Sequence, residues 1–135
     1  MTHLFDTSVL TRLGEPSVRA VVEPLASIGR AARAGISDLE IGYSARNGGE
    51  WDQLVGALDA LVLVETTAEH LRRARQVQRM LAVSSQRGRK VPDLLVAAAA
   101  EQAGYIVLHY DADFDRIASV TGQPCRWVVP PGSID

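Results

Sequence analysis

Asp6, Glu40, Asp93, Asp111 and Asp113 are the residues of this chain whose type and placement suit chemistry. Asp6 directly follows the short apolar run His3-Leu4-Phe5. Glu40 falls in the first turn of a helix opened by Ser37-Asp38-Leu39, and Asp93 follows Val91-Pro92 at the start of another. Asp111 lies just past Tyr105-Ile106-Val107-Leu108, with Asp113 close behind. Carboxylates brought within a few ångströms repel, and each raises the pKa of its neighbour. The motifs themselves hold no Lys or Arg to offset that charge. A divalent cation does so: Mg²⁺ and Mn²⁺ take oxygen ligands, and Mg²⁺ is commonly held by one or two carboxylates with water and a substrate phosphate. Such ions activate a water and stabilise the leaving oxygen in phosphodiester cleavage.

These acids converge only if the chain folds as alternating strands and helices. The pattern reads that way. Strands are expected at His3–Phe5, Ala32–Ile36, Leu61–Val64 (a buried one), Tyr105–Leu108 and Arg126–Val129. Between them fall a short helix capped by Thr7 or Ser8 and stopped at Gly14, and a helix restarting at Glu15-Pro16-Ser17, with Pro24 in its last turns. A helix from Ser37 to about Arg46 ends before Asn47-Gly48-Gly49, and Trp51, Leu54, Val55 and Leu58 make the next helical stripe. A longer helix runs from Thr67 to about Ser84 with Leu71, Ala74, Val77 and Leu81 inward. After a Gln86–Lys90 loop, a helix with Pro92 at its first position and Asp93 at its second ends at Gly104. A last helix runs to about Val120. The architecture expected is α/β: a three-layer α/β/α sandwich around a central five-stranded parallel sheet, as one domain spanning 1–135. Right-handed crossovers put the carboxyl ends of all strands on one edge, where ligand sites of open α/β sheets gather.

The chain has 135 residues, 47% hydrophobic and 22% charged, an ordinary globular composition that excludes a disordered tail or a fibre. Cys125 is the only cysteine, so no intramolecular disulfide forms, which fits a reducing cytosol. Met1-Thr2-His3 lacks a basic leader region. The longest clean apolar stretch, Leu94–Ala100, is far short of the roughly 18 residues that suggest a membrane span. A cytoplasmic protein without membrane contact is expected.

The net charge of −2 says little, but its distribution is uneven. Arg72, Arg73, Arg75, Arg79, Arg87, Arg89 and Lys90 lie between Leu71 and Pro92 without one acid among them. A local basic stripe attracts phosphate even on a slightly acidic protein. With the acidic set, the combined reading is a metal-dependent nuclease whose nucleic-acid backbone contacts include Arg72, Arg73, Arg79, Arg87, Arg89 and Lys90. The same stripe also fits a solvated helix face or an acidic partner.

The runs Leu4-Phe5-Asp6-Thr7-Ser8, Ser37-Asp38-Leu39-Glu40, Pro92-Asp93-Leu94-Leu95-Val96-Ala97-Ala98-Ala99 and Leu108-His109-Tyr110-Asp111-Ala112-Asp113-Phe114 together resemble the PIN-domain ribonucleases. Within them the chain looks most like the VapC toxins of bacterial toxin–antitoxin pairs. The resemblance covers the whole length in motif order and spacing. It implies Mg²⁺ or Mn²⁺ at the acidic cluster and an endoribonuclease that cuts cellular RNA and arrests translation. It implies a cognate VapB-like antitoxin, a toxin homodimer, and a heterotetramer or larger assembly of the two. By position, Asp6, Glu40, Asp93 and Asp111 match the acidic quartet and Asp113 a fifth acid. Thr7 and Ser8 match hydroxyl positions beside the metal or its waters.

Each acid also has a plainer role open to it. Asp6 fits a helix N-cap. Ser37 and Glu40 fit a capping box, which would turn Glu40 away from a metal. Asp93 suits a helix macrodipole, and Asp111 and Asp113 suit a turn. Asp115 reads as a surface acid, and Trp51 and Trp127 as packing residues. His3, His70 and His109 lack metal-ligand spacing, and Cys125 reads as a small apolar filler. Two other functions compete with the nuclease. One is a catalytically silent binding module of the same fold. The other is a phosphoryl-transfer enzyme using Asp6 as nucleophile, disfavoured because Ser8 stands where its second acid belongs.

Overall fold

The computed structural model describes residues 1–87 and 90–135. Five parallel strands form its sheet: β1 (His3–Phe5), β2 (Ala31–Ala34), β3 (Val62–Val64), β4 (Ile106–His109) and β5 (Cys125–Trp127), in the order β3-β2-β1-β4-β5. Between them run α1 (Thr7–Leu10), α2 (Pro16–Ser27), α3 (Gly35–Gly42), α4 (Gly48–Gly56), a 3₁₀ turn (Ala57–Ala60), α5 (Ala68–Val83), α6 (Val91–Ala103) and α7 (Asp113–Thr121).

Side chains alternate across the sheet because strand residues point to opposite faces. Leu4, Ala34 and Val107 join Ala74, Val77, Leu81, Phe114, Ile117 and the inward face of α6 in one core. Phe5, Ala31 and Leu108 join Val9, Leu10, Val18, Val22 and Leu58 in the other. The sheet is therefore the middle of three layers, as the alternating pattern implies. Leu4 pairs in register with Ala32 on one side and Val107 on the other, so β1 is the central strand. The chain first winds outward through β2 and β3, then reverses to β4 and β5. The reversal opens a crevice between the carboxyl ends of β1 and β4, and the backbone N–H of Asp6 closes its floor by donating to Leu108 O at 2.9 Å.

Several boundaries differ from the sequence reading. β2 ends at Ala34 and α3 begins at Gly35, because Ala34 is already the N-cap; Ser37 sits inside the helix, fully buried. α3 stops at Gly42 rather than near Arg46, and Trp51 explains the close approach there: a Cβ on Gly42 would meet its indole nitrogen at 2.3 Å. Helix α2 runs through Pro24 to Ser27, losing only the hydrogen bond that proline cannot donate. The apolar run ending at Val64 does not make a buried strand. β3 is an edge strand, with Val62 53% and Leu63 41% exposed. Leu71 likewise faces solvent, leaving Ala74, Val77 and Leu81 as the inward stripe of α5. β4 and β5 are each shifted or shortened: Ile106–His109 and Cys125–Trp127. Helix α6 starts one residue early, at Val91, with Lys90 as its N-cap and Gly104 closing it in the left-handed conformation. Among the described residues, no helix is long and apolar enough to cross a membrane.

Candidate active site

Four elements deliver the carboxylates to the crevice. Asp6 leaves β1 and caps α1, its Oδ2 accepting from the Ser8 backbone N–H at 3.0 Å and the Ser8 hydroxyl at 2.6 Å. One side chain thus both caps α1 and lines the crevice. Ser8 Oγ in turn accepts from the Tyr110 backbone N–H at 2.9 Å, tying the end of β1 to the segment after β4. Glu40 projects from α3. Thr7 Oγ1 lies 2.7 Å from Glu40 Oε1 and 2.9 Å from Ser37 Oγ. Having one hydroxyl proton, Thr7 donates to the carboxylate and accepts from Ser37. This overturns the capping-box alternative: Ser37 is a helix-interior residue, and Glu40 reaches across to α1 instead of back to its own N-terminus.

Asp93 stands in the first turn of α6 and is 7% exposed. Asp111 lies in the turn after β4, where its Oδ1 accepts from the Asp113 N–H at 2.9 Å. Its own backbone N–H donates to His109 Nδ1 at 3.2 Å. Asp6, Thr7, Ser8, Glu40, Asp93 and Asp111 line one cleft of about 190 Å³. Asp113 lies beside it, and one oxygen each of Asp93, Asp111 and Asp113 lies within 4.8 Å of the others.

The electrostatics follow from burial and crowding. Asp93 is pushed up to about 8, first by burial and then by Asp6 and Asp111, with Lys90 opposing. Burial also raises Asp6, against the hydrogen bonds from Ser8. Asp93 Oδ2 is buried without a hydrogen-bond partner among the described residues, an acceptor directed into a group of acceptors. Hard, oxygen-only donors, one of them unsatisfied, are what a small divalent cation takes, so this donor set fits Mg²⁺ or Mn²⁺.

The sequence reading missed one feature. The motifs hold no Lys or Arg, but Lys90, just before the third of them, brings a cation to the acids: its Nζ lies 3.2 Å from Asp113 Oδ2, 3.3 Å from Asp111 Oδ2 and 4.0 Å from Asp93 Oδ2. Arg116 adds a second charge, 2.8 Å from Asp113 Oδ1. The spacing held a clue: Lys90 and Asp93 are i,i+3 across a helix start, positions that share a face.

The basic stripe divides. Arg72 pairs with Glu69, and Arg73 makes a two-pronged bond to Glu101, with Nε–Oε1 at 2.7 Å. Neither charge is free. Arg75 and Arg79 have no carboxylate at ion-pair distance among the described residues, and they line a groove of about 750 Å³ along α5. No acid lines that larger groove; the carboxylates gather at the smaller cleft. Arg87 is exposed in the loop after α5, and Arg89 lies outside the described residues. The three histidines fill structural roles. His70 completes a capping box with Thr67, His3 approaches Arg126, and His109, fully buried, stacks on Phe114. Trp127 packs on His109 and Tyr110 and donates to Asp115, while Trp51 covers Gly42. Cys125 packs half-buried against the core, and burial pushes its thiol up to about 12.

A parallel sheet ordered β3-β2-β1-β4-β5 with a carboxylate cleft at its reversal defines an open α/β protein whose candidate ligand site lies at the switch point. Comparison with known proteins narrows it. The PIN domain family model matches residues 4–120. Ribonuclease VapC51 of Mycobacterium tuberculosis is 62% identical over 135 residues, covering 100% of this chain and 98% of its own. Ribonuclease VapC21 of the same organism is 45% identical over 134 residues, 97% of this chain and 96% of its own. VapBC2 from Rickettsia felis, solved bound to a DNA fragment from its promoter, superposes with a TM-score of 0.78 at 16% identity, covering 93% of this chain and 98% of that one. FitAcB from Neisseria gonorrhoeae gives 0.73 at 17%, covering 94% and 98%. The chain belongs to the PIN-domain family, in its VapC branch.

Proposed function

We propose that this protein is a metal-dependent endoribonuclease and the toxin of a toxin–antitoxin pair. The observation that carries the reading is the unpartnered, buried Asp93 carboxylate oxygen facing Asp111 and Asp113. A binding module has no use for that repulsion. Asp93, Asp111 and Asp113 would hold Mg²⁺ or Mn²⁺, with Asp6 and Glu40 completing the carboxylate wall. When bound, the cation supplies an activated water and stabilises charge on the phosphodiester. Ser8 holds Asp6 in place through two hydrogen bonds to Oδ2. Glu40, oriented by Thr7 and open to solvent, would take the proton of an attacking water. Arg79, Arg87, Arg89 and Lys90, joined by Arg75, would track the RNA backbone. Arg72 and Arg73 contribute less because Glu69 and Glu101 neutralise them.

A VapB-like antitoxin and a second copy of the chain are the partners proposed, with heterotetramers or larger assemblies in the cytoplasm, where the RNA is. VapBC complexes among the solved neighbours support the first. Leu39 and the 92% exposed Tyr43 beside Glu40 give a partner an apolar hold at the cleft rim.

The test is cleavage of total cellular RNA by antitoxin-free protein with Mn²⁺, with Mg²⁺ and with EDTA, beside Asp6→Asn. Discrete metal-dependent products absent from the variant are expected. A folded, metal-binding wild type that leaves all RNA intact would return the binding-module reading to first place.

A further inference from the structure

We propose that Lys90 is a built-in stand-in for the divalent cation: in the metal-free protein its ammonium occupies the Asp93–Asp111–Asp113 position, and metal binding expels it. The inference rests on the metal-site reading above.

The geometry is that of a competitor rather than a neighbour. The three carboxylates whose oxygens lie within 4.8 Å of one another are the three that surround Lys90 Nζ, at 3.2, 3.3 and 4.0 Å. An ammonium has three protons to donate and no acceptor, so it suits three converging carboxylates. A divalent ion takes carboxylate oxygens at about 2.0–2.6 Å. An ion at that distance from the same oxygens leaves no room for an ammonium among them. The lysine also fits imperfectly. At 4.0 Å it is beyond hydrogen-bond reach of Asp93 Oδ2, which stays unpartnered. A smaller ion of double charge satisfies the oxygen that lysine leaves over.

The position of Lys90 makes the exchange easy. It is the N-cap of α6, placed one turn before Asp93 on the same helix, and its side chain is 64% exposed. The stem can swing to solvent without disturbing either core. Expelled, the ammonium stays at the cleft rim, where a backbone phosphate would meet it. The device offsets part of the acidic charge until metal arrives.

Lys90 is the only lysine of the chain, which makes the exchange directly observable. Full-length protein prepared with ¹³C-lysine gives one side-chain Cε–H correlation, to be followed by NMR while Mg²⁺ is added and binding heat is measured in parallel. The expected result is a shift of that signal toward free lysine with the same midpoint as the heat. Lys90→Met should bind Mn²⁺ about two- to fivefold more tightly, in proportion to a surface-accessible charge pair removed, and melt lower in EDTA; Lys90→Arg should keep the wild-type affinity. Mg²⁺ binding that leaves the lysine signal unmoved would overturn the proposal, as would Lys90→Met binding no tighter. If neither wild type nor Lys90→Met binds Mg²⁺ or Mn²⁺, the metal-site reading itself fails.

Discussion

Thr7 and Glu40 meet at 2.7 Å across 33 residues of sequence, joining the helix after β1 to the helix after β2. The contact also shields Ser37, whose fully buried hydroxyl finds its partner in Thr7. Thr7→Val removes both bonds at nearly constant volume. It should cost about 1–2 kcal/mol of stability, the usual result of stranding a buried hydroxyl. RNA cleavage should fall roughly tenfold, in the range found when the residues that orient a site are lost. Thr7→Ser should retain both. Urea melts and cleavage rates of the pair decide it; a Thr7→Val protein as active as wild type would show that Glu40 needs no support.

Asp6→Asn and Asp93→Asn keep shape while removing charge. Each should lower RNA cleavage by at least about a hundredfold, since even partners of metal ligands cost 10–100-fold when lost. Both should fold, because neither amide is larger than the acid it replaces. Circular dichroism and the cleavage assay, run together, separate loss of activity from loss of structure.

Stability of the metal-free protein should fall as pH rises. Folding raises Asp93 from its usual value to about 8, chiefly through burial, so between about pH 4 and 8 the native state binds the proton that the unfolded chain has released. The slope is negative over that window and levels off above it. Asp93→Asn should melt higher than wild type in EDTA at pH 8, with the difference vanishing near pH 4. Added Mg²⁺ should stabilise wild type more at pH 8 than at pH 5, because the ion competes with that proton. Equal melting temperatures of wild type and Asp93→Asn at pH 8 in EDTA would contradict the burial argument.

Two arginines on one helix should respond differently to charge reversal. Arg79 lines the α5 groove with no carboxylate at ion-pair distance among the described residues, so Arg79→Glu should weaken RNA binding and reduce its salt dependence by about one unit of slope. Arg73 is committed to Glu101, and Arg73→Glu should cost about 0.5–1 kcal/mol of stability with less effect on RNA. Binding titrations at several salt concentrations distinguish the two.

The acids of the cleft were legible because each follows a strand or opens a helix, and parallel topology sends all such positions to one edge. Local rules misled where tertiary contacts decided. Ser37 and Glu40 have the spacing of a capping box, yet α3 begins earlier at Gly35, and Thr7, from a different element, takes Glu40. Val62 and Leu63 are apolar enough for a core strand, but their place at the sheet edge exposes them, and edge position is a property of the assembled sheet. Pattern reading placed Lys90 in a basic loop with its neighbours; only the packing of α6 against the crevice turns it toward the carboxylates.

Helix α6 is buried from Asp93 through Ala100, and four consecutive alanines let it lie close above the sheet, pinned further by Gln123 donating to Ala97 O at 2.9 Å. The helix behaves as a set screw. Its seating depth is fixed by side chains with almost no bulk, and its tip carries Asp93. Enlarging Ala97 or Ala99 would lift the shaft and unseat the tip, so positions well removed from the chemistry tune its alignment.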